Sequence, residues 1–171
     1  CDAAEAKRLA DPLGSKYAMV EDSAGTPYCD VRWMGFFSPL EVPCTPPPWG
    51  TIAGIDLQKG EVAWQVPLGT TRDLAPFPFW FIDGVPNMGG PITTASGLTF
   101  IAATSDYFLR AFDSDTGVEL WKGRLPTGGQ ATPMTYRAGP ADRQYVVIAA
   151  GGHWALGTPA SDHIIAFALP E

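Results

Sequence analysis

The stretch AFDSDTGVELW at residues 111–121 repeats the stretch GIDLQKGEVAW at residues 54–64, with Asp, Gly and Trp at the same internal spacing. In each copy, two β-rich runs flank a turn in which Asp can cap the backbone and Gly can take a positive φ. The pattern therefore predicts a pair of antiparallel strands in each copy. Trp64 and Trp121 close the two copies, and we interpret them as flat packing surfaces between neighbouring repeats. Aromatic stacking on a ligand is the alternative.

Further correspondences define a larger repeating unit. The matching pairs are residues 91–97 with 133–139, 101–103 with 148–150, and 111–112 with 166–167. In the middle unit they predict four strands, near 90–94, 98–103, 108–113 and 119–124. The third unit supplies three strands, near 131–136, 144–150 and 163–168, and the first supplies only the last two of its four. Four-stranded antiparallel units that recur every ~40–50 residues are typical of a β-propeller.

The predicted fold class is therefore all-β, a partial β-propeller of about two to three four-stranded blades. A closed propeller needs at least about four blades, so we expect the chain to be a piece of a longer protein and part of a ring. The blades are placed at 51–171. Residues 1–50 are expected to form an irregular N-terminal arm with a short helix over 2–10 and a Pro-rich connection from 38 to 50.

Composition places the chain among globular proteins and narrows its partners. The 171 residues are 46% hydrophobic and 17% charged, with a formal net charge of −7, and this acidic balance argues against a nucleic-acid groove. No window approaches about 18 uninterrupted apolar residues, so no membrane span is expected. Cys29 and Cys44 are a possible disulfide pair, and free buried thiols are the alternative.

Candidate functional residues gather in connections that the alternation of strands places on one face of the predicted ring. These residues are Asn87, Gly89, Gly90, Asp106, Gly128, Gly129 and His153. Glycine lets a backbone approach a ligand closely, so the clustering predicts a ligand site, and tight turns are the alternative. For His153 a structural role is the alternative, and for Asp106 it is the capping of a turn. His163, at a predicted strand start, is interpreted as structural.

These repeats and loops resemble the pyrroloquinoline quinone (PQQ) dehydrogenases. The stretch AFDSDTGVELW is similar to the tryptophan-docking motif of that family. The segments GGPITTASGLTFIAATSDYFLRAFD, RLPTGGQATPMTY, QYVVIAAGGH and DHIIAFALP resemble the C-terminal end of its membrane-bound subgroup, the quinoprotein glucose and quinate dehydrogenases. The resemblance implies an eight-bladed propeller on the periplasmic side of the bacterial inner membrane. It also implies PQQ and a Ca or Mg ion as cofactors, a sugar or polyol as substrate, and ubiquinone as electron acceptor.

The resemblance also implies roles for individual residues. It makes His153 the substrate-side histidine and Asp106 an acid near the site, so both are expected to bind the substrate. Asn87 and the glycine pairs, which cluster on the same face, are expected to bind the cofactor. The general base, the metal ligands and a lysine that contacts PQQ belong to earlier blades, so this chain is assigned no catalytic or metal-binding residue. We therefore expect the isolated chain to be inactive and to self-associate through its open blade edges.

The loop after His153 departs from the glucose enzymes. Those enzymes continue with small residues and a Thr-Lys-Met-Gly-Asp string. Here the corresponding loop, residues 154–162, begins with the bulky Trp154 and contains no Lys. Cyclic polyols and quinate-like acids are therefore candidate substrates beside glucose.

Two non-enzymatic hypotheses stand beside the enzyme. A PQQ-type repeat propeller that serves as a binding scaffold in the cell envelope would keep the tryptophan-docking motifs. It does not predict glycine pairs and a histidine on one face. A WD40-like interaction propeller would carry Trp-Asp dipeptides at its blade ends, and this sequence contains none.

Overall fold

The chain forms two compact units, Cys1–Pro46 and Pro47–Glu171. The structure is a computed structural model that describes residues 2–10, 18–23, 25–33, 43–139 and 142–169. None of the helices in these ranges is long and apolar enough to cross a membrane.

The first unit contains one helix and one hairpin. Helix α1 (Ala3–Ala10) begins at Asp2, whose side chain accepts hydrogen bonds from the backbone N–H groups of Ala4 and Glu5. It lies against β1 (Ala18–Asp22) and β2 (Cys29–Trp33), which pair antiparallel. The helix was expected from the sequence. The hairpin was not expected, although the alternation of apolar and polar residues in Cys29–Trp33 is a signal for a strand.

The cysteines do not form the pair considered from the sequence. Cys29 is disulfide-bonded, whereas Cys44 is a free and exposed thiol. This pair was one possibility among three cysteines, and the sequence alone does not fix which sulfurs meet in space.

The second unit is built of three antiparallel sheets that follow one another along the chain. Its strands are β3 (Thr51–Asp56), β4 (Glu61–Pro67), β5 (Ile92–Thr93), β6 (Leu98–Ile101), β7 (Phe108–Asp113), β8 (Glu119–Arg124), β9 (Met134–Tyr136), β10 (Tyr145–Ala150) and β11 (His163–Ala168). The sheet orders are β3-β4, β5-β6-β7-β8 and β11-β10-β9. Each strand lies within or close to its predicted position, although β5 and β9 are shorter than predicted, and the third sheet has no fourth strand among the described residues. The partial propeller predicted from the sequence is confirmed.

Strand β7 of the middle sheet is covered on both faces, and this arrangement forms the core. In β7 the four central residues are all buried. Phe112 packs with Ile52 and Leu68 in a cluster shared with the first sheet, whereas Leu109 packs with Ile148 in a cluster shared with the third sheet. Each sheet therefore buries its apolar faces against its neighbours, as expected of successive blades.

Trp64 and Trp121 both bridge neighbouring sheets. The Trp64 indole lies on Gly117, and its Nε1 donates a hydrogen bond to the Ser114 carbonyl at 2.9 Å. Trp121 packs edge-on against Phe167 of β11, with ring centroids 5.1 Å apart. Both rings contact the next repeat, in agreement with packing between blades.

Candidate functional site

Four connections expected on one face are joined by backbone hydrogen bonds. The Met88 N–H donates to the Ala103 carbonyl at 2.7 Å, and the Ala103 N–H donates to the Gly129 carbonyl at 2.8 Å. The Gly152 N–H donates to the Gly128 carbonyl at 2.9 Å. The structure therefore brings the loops of the predicted site together. At their centre the buried Ala103 has a φ of 59°, a left-handed conformation that costs a non-glycine residue roughly 1–3 kcal/mol.

The glycines of these loops make room for protein atoms. A Cβ on Gly89 would lie 2.6 Å from the Gln130 carbonyl oxygen, and a Cβ on Gly129 would lie 2.7 Å from Leu125 Cδ1. A Cβ on Gly128 would lie 2.9 Å from Thr158 Cγ2. The sequence suggested that these glycines admit a ligand. In the structure they allow the loops to approach one another, and Gly128 and Gly129 are buried.

Asn87 and Gly89 differ from the buried pair because both are exposed. Asn87 forms an antiparallel bridge with Thr104, which ties this loop to the end of the middle sheet. Its amide lies over Gly50, where a Cβ would come within 2.3 Å of Nδ2. Of the residues assigned to the cofactor, Asn87 and Gly89 are exposed, Gly90 is half-buried, and Gly128 and Gly129 are buried.

Asp106 lies inside the protein, with 1% of its surface exposed. One carboxylate oxygen accepts hydrogen bonds from Thr104 Oγ1 and from Arg110 Nη1. The other accepts from Arg110 Nη2 and from the backbone N–H and hydroxyl of Thr70. Both oxygens are thus used within the chain. Asp106 therefore links the loops from within, and its assignment to substrate binding stays a prediction.

Arg110 completes a buried ion pair that the sequence did not predict. Its side chain is 2% exposed, and its Nε also donates to Glu119 at 3.0 Å. Two acids thus neutralise a single buried guanidinium, which is the condition for burying a charge. The sequence offered one signal for this pair: Asp106 and Arg110 have opposite charges and lie four residues apart, on either side of Phe108, where β7 begins.

His153 opens a short 3₁₀ turn, Trp154–Leu156. Its Nδ1 accepts a hydrogen bond from the Ala155 N–H at 3.2 Å. A nitrogen that accepts carries no hydrogen, so the neutral ring holds its proton on Nε2. Nε2 has no hydrogen-bond partner among the described residues. The half-buried His153 therefore presents one N–H donor.

Thr158 fixes the backbone of His153, and sequence reasoning missed it. Its hydroxyl accepts from the His153 N–H at 2.6 Å and donates to the His153 carbonyl at 3.3 Å. Thr158 is 6% exposed, and the Thr127 hydroxyl donates to the next carbonyl, that of Pro159, at 2.7 Å. Gly157, with a φ of 66°, ends the turn just before Thr158, and this Gly-Thr dipeptide was the available signal.

Gln130 contributes a buried oxygen with no partner. Its Nε2 donates to the Thr104 carbonyl at 2.9 Å, which sets the orientation of the amide. Its Oε1 is buried and unpaired among the described residues, close to Gly128. An unpaired buried acceptor costs about 1–3 kcal/mol, so this oxygen is suited to a donor that comes from water or a ligand.

Four positively charged side chains lie around the ring of Phe108, the first residue of β7. The Arg110, Arg72 and Arg124 guanidinium carbons and the Lys122 Nζ lie 5.4, 5.8, 4.8 and 5.7 Å from its centroid. These distances suit cation–π attraction.

Asp73 neutralises one of these cations. Arg124 donates to both of its carboxylate oxygens, at 2.5 and 2.6 Å. Burial raises the pKa of Asp73, but the hydrogen bonds from Arg124 and from the Tyr107 backbone outweigh it and hold the pKa below its usual value. The same ion pair raises the pKa of Arg124.

The described residues contain no group of three or more His, Cys, Asp or Glu side chains arranged to hold a metal ion. His163 lies at the start of β11, where its Nδ1 contacts the Ser161 hydroxyl. This local contact agrees with the structural role expected of it.

The sequence matches the family model "PQQ: Glucose/ethanol/alcohol dehydrogenase, beta-propeller domain" over residues 2–146. The chain belongs to this family. It is 48% identical over 156 residues to the quinoprotein glucose dehydrogenase of Escherichia coli K12, covering 89% of this chain and 19% of that protein. It is 50% identical over 152 residues to a probable quinate dehydrogenase (quinone) of Xanthomonas campestris pv. juglandis, covering 86% and 19%.

A third relative is named for an acyclic substrate, glycerol. The chain is 45% identical over 153 residues to the glycerol dehydrogenase large subunit of Gluconobacter oxydans, covering 86% of this chain and 20% of that protein. The chain thus spans about a fifth of the length of the relatives it matches. Similarity over this region extends across enzymes named for different substrates.

The loops fit PQQ as one polar wall of a site. A quinone offers carbonyl oxygens, which match the donors of the exposed Asn87 amide, and a pyrrole offers an N–H, which matches an acceptor such as Gln130 Oε1. Protein atoms already occupy the space beside these glycines where a Cβ would lie, so the glycines do not open an empty space for a ligand. These donors and acceptors are therefore chemically compatible with part of PQQ.

Proposed function

We propose that this chain is the C-terminal part of a PQQ-dependent dehydrogenase that oxidises a hydroxyl group of a sugar or cyclic polyol. The proposal includes a periplasmic location at the inner membrane and transfer of electrons to ubiquinone. The observation that carries it is the His153 loop, which presents one oriented N–H donor beside the joined glycine loops. Family membership and the names of the relatives support the same reaction class.

Some residues of this chain contact the substrate or the cofactor, and others hold the loops in position. His153 donates from Nε2 to a substrate hydroxyl oxygen, while Asn87 and Gly89 contact the cofactor. Asp106 and Arg110 act as positioning residues that hold the loops from within. PQQ, when bound, supplies the quinone that accepts the hydride. A Ca or Mg ion and the general base belong to residues outside this chain.

The test uses the full-length protein that carries this chain, loaded with PQQ and assayed with a dye acceptor. Loss of one hydrogen bond costs about 0.5–1.5 kcal/mol, so His153→Ala should raise the Michaelis constant roughly threefold to tenfold. Turnover at saturation should fall less than affinity, because His153 is not the general base. His163→Ala is the matched control and should change neither.

Titration with PQQ separates the remaining possibilities. The wild type and His153→Ala should bind PQQ equally well, because the cofactor contacts lie in other loops and blades. A collapse of PQQ binding in His153→Ala, with unchanged Michaelis constants, would place His153 at the cofactor. A full-length wild type that binds no PQQ and oxidises no polyol would favour the scaffold hypothesis.

A further inference from the structure

Resting on the proposed function, we propose that Trp154 determines substrate specificity by stacking on the ring of a cyclic polyol whose hydroxyl accepts the hydrogen bond from His153. The inference deepens the proposed function because it names a substrate class, cyclic rather than acyclic. The family resemblance assigns no role to this position.

Trp154 is an exposed aromatic residue that lies directly beside the proposed donor. Its indole stacks on the imidazole of His153, with ring centroids 5.9 Å apart and an angle of 22° between the planes. The side chain remains 69% exposed. One face of the pair is thus apolar and accessible while the neighbouring imidazole edge carries the Nε2 donor.

The loop that carries the pair is held in one conformation. The Leu156 N–H and the Thr158 N–H both donate to the His153 carbonyl, at 3.1 and 3.3 Å. The Ser161 N–H donates to the Gly151 carbonyl at 2.9 Å, which closes the base of the loop. A preorganised aromatic loses little entropy on binding, so this pair is suited to recognition.

The chemistry of the pair matches a ring-shaped polyol. Such a molecule has a face of C–H groups that can lie on an aromatic ring, and equatorial hydroxyls that point outward from its edge. An indole beside an N–H donor meets both features at once. An acyclic polyol such as glycerol presents no flat face and must first lose conformational freedom to form one.

The experiment compares Trp154→Ala and Trp154→Phe with the wild type in the full-length protein. The substrates are two cyclic compounds, glucose and quinate, and two acyclic ones, glycerol and sorbitol. Trp154→Ala should lower kcat/KM for whichever cyclic compounds the wild type oxidises by about threefold to tenfold, mostly through KM, and acyclic values by less than twofold. Trp154→Phe should restore the cyclic values to within about twofold.

Tyr136→Ala is the matched control, because Tyr136 is also exposed and also stacks on a neighbouring ring, that of Tyr145 at 5.3 Å. It should leave the ratio of cyclic to acyclic activity unchanged. An equal loss on both substrate classes in Trp154→Ala would show that Trp154 only supports the loop or contacts another blade, and would overturn the proposal. Unchanged KM values would overturn it as well.

A binding measurement keeps this result separate from the proposed function. Saturation-transfer NMR on the same proteins, with and without PQQ, detects polyol contact without turnover. A cyclic compound that contacts the wild type but not Trp154→Ala supports stacking even if no PQQ binds, in which case only the oxidation chemistry is lost. Equal contact by both proteins contradicts stacking.

Discussion

Asp106 and Arg110 show how a single pair can decide the stability of the joined loops. Both side chains are almost fully buried, 0% and 2% exposed, and each oxygen of the acid is occupied. Arg110→Met removes the cation and leaves a buried carboxylate without its main partner. We expect a loss of about 3–5 kcal/mol in the free energy of unfolding, measured by urea denaturation.

The control for this pair is an arginine on the surface. Arg137 is exposed and contacts Gln144 at 3.2 Å, so Arg137→Met should change the free energy of unfolding by less than about 0.5 kcal/mol. A loss in Arg110→Met as small as that of the control would mean that water replaces the guanidinium at Asp106.

The ion pair of Asp73 with Arg124 predicts a pH dependence. The pKa of Asp73 is lower in the folded protein than its ordinary value of about 3.9. A lowered pKa stabilises the fold above that ordinary value, and the contribution is lost as the pH falls through the folded pKa. The wild type should therefore be more stable than Asp73→Asn at pH 7, and the difference should shrink as the pH falls below that ordinary value and through the lowered pKa.

Unfolding curves of the wild type and Asp73→Asn between pH 2 and 7 measure this difference. Glu61→Gln is the control, because the exposed Glu61 carboxylate makes only a weak surface ion pair, at 3.7 Å from an exposed lysine. A stability difference for Asp73→Asn that stays constant over the whole range would contradict the prediction.

At the level of residues, the sequence indicated which residues lie on the joined loops. It did not indicate the direction in which their side chains point. Spacing and strand alternation predicted that Asp106 and His153 lie on loops of one face. They could not show that Asp106 turns inward, because its partner Thr70 comes from a segment 36 residues earlier. The orienting bonds of His153 come from residues two and five positions later, and a local turn of this kind has no periodic signal.

At the level of elements, the two copies of the strand–turn–strand motif provide their own control. Gly117 and Gly60 occupy equivalent turns with φ values of 73° and 70°. A Cβ on Gly117 would lie 2.4 Å from the Trp64 ring, whereas nothing lies within 4 Å of a Cβ on Gly60. Both alanine variants bear the same backbone strain, so their difference isolates the contact with Trp64.

We expect Gly117→Ala to be about 1–3 kcal/mol less stable than Gly60→Ala, because the indole must move. Thermal and urea denaturation of the two variants measure the difference. Equal stabilities would show that Trp64 shifts without cost and that docking between the sheets is loose.

The elements were predictable to the extent that the chain repeats itself. Both copies of the motif, and the strands β6 to β8, agree with their predicted positions because repeated turn chemistry fixes the ends of strands. The hairpin of β1 and β2 and the 3₁₀ turn after His153 occur once, so no internal comparison could reveal them. Strand β5 is shorter than predicted, two residues, because Gly90 and Pro91 precede it.

At the scale of the whole molecule, burial is greatest in β7 and falls toward the last strand. Strand β7 is packed on both faces, whereas β11 has only exposed and half-buried residues. Within the described residues, β11 pairs with β10 on one side only. Its sequence, HIIAFA, has no Lys, no Pro and no Gly, so the strand itself carries neither the lysine nor the proline that often protects an edge.

This edge predicts how the isolated chain behaves. An apolar strand with free backbone groups is a template for another strand, so the purified 171-residue chain should self-associate as its concentration rises. Ile164 is 74% exposed on this strand, and Ile164→Lys should shift the distribution toward monomer. Leu57→Lys adds the same charge at a residue 90% exposed in a turn, and should leave association unchanged. Sedimentation velocity over a concentration series measures both, and equal effects of the two lysines would mean that net charge, rather than the edge of β11, controls association.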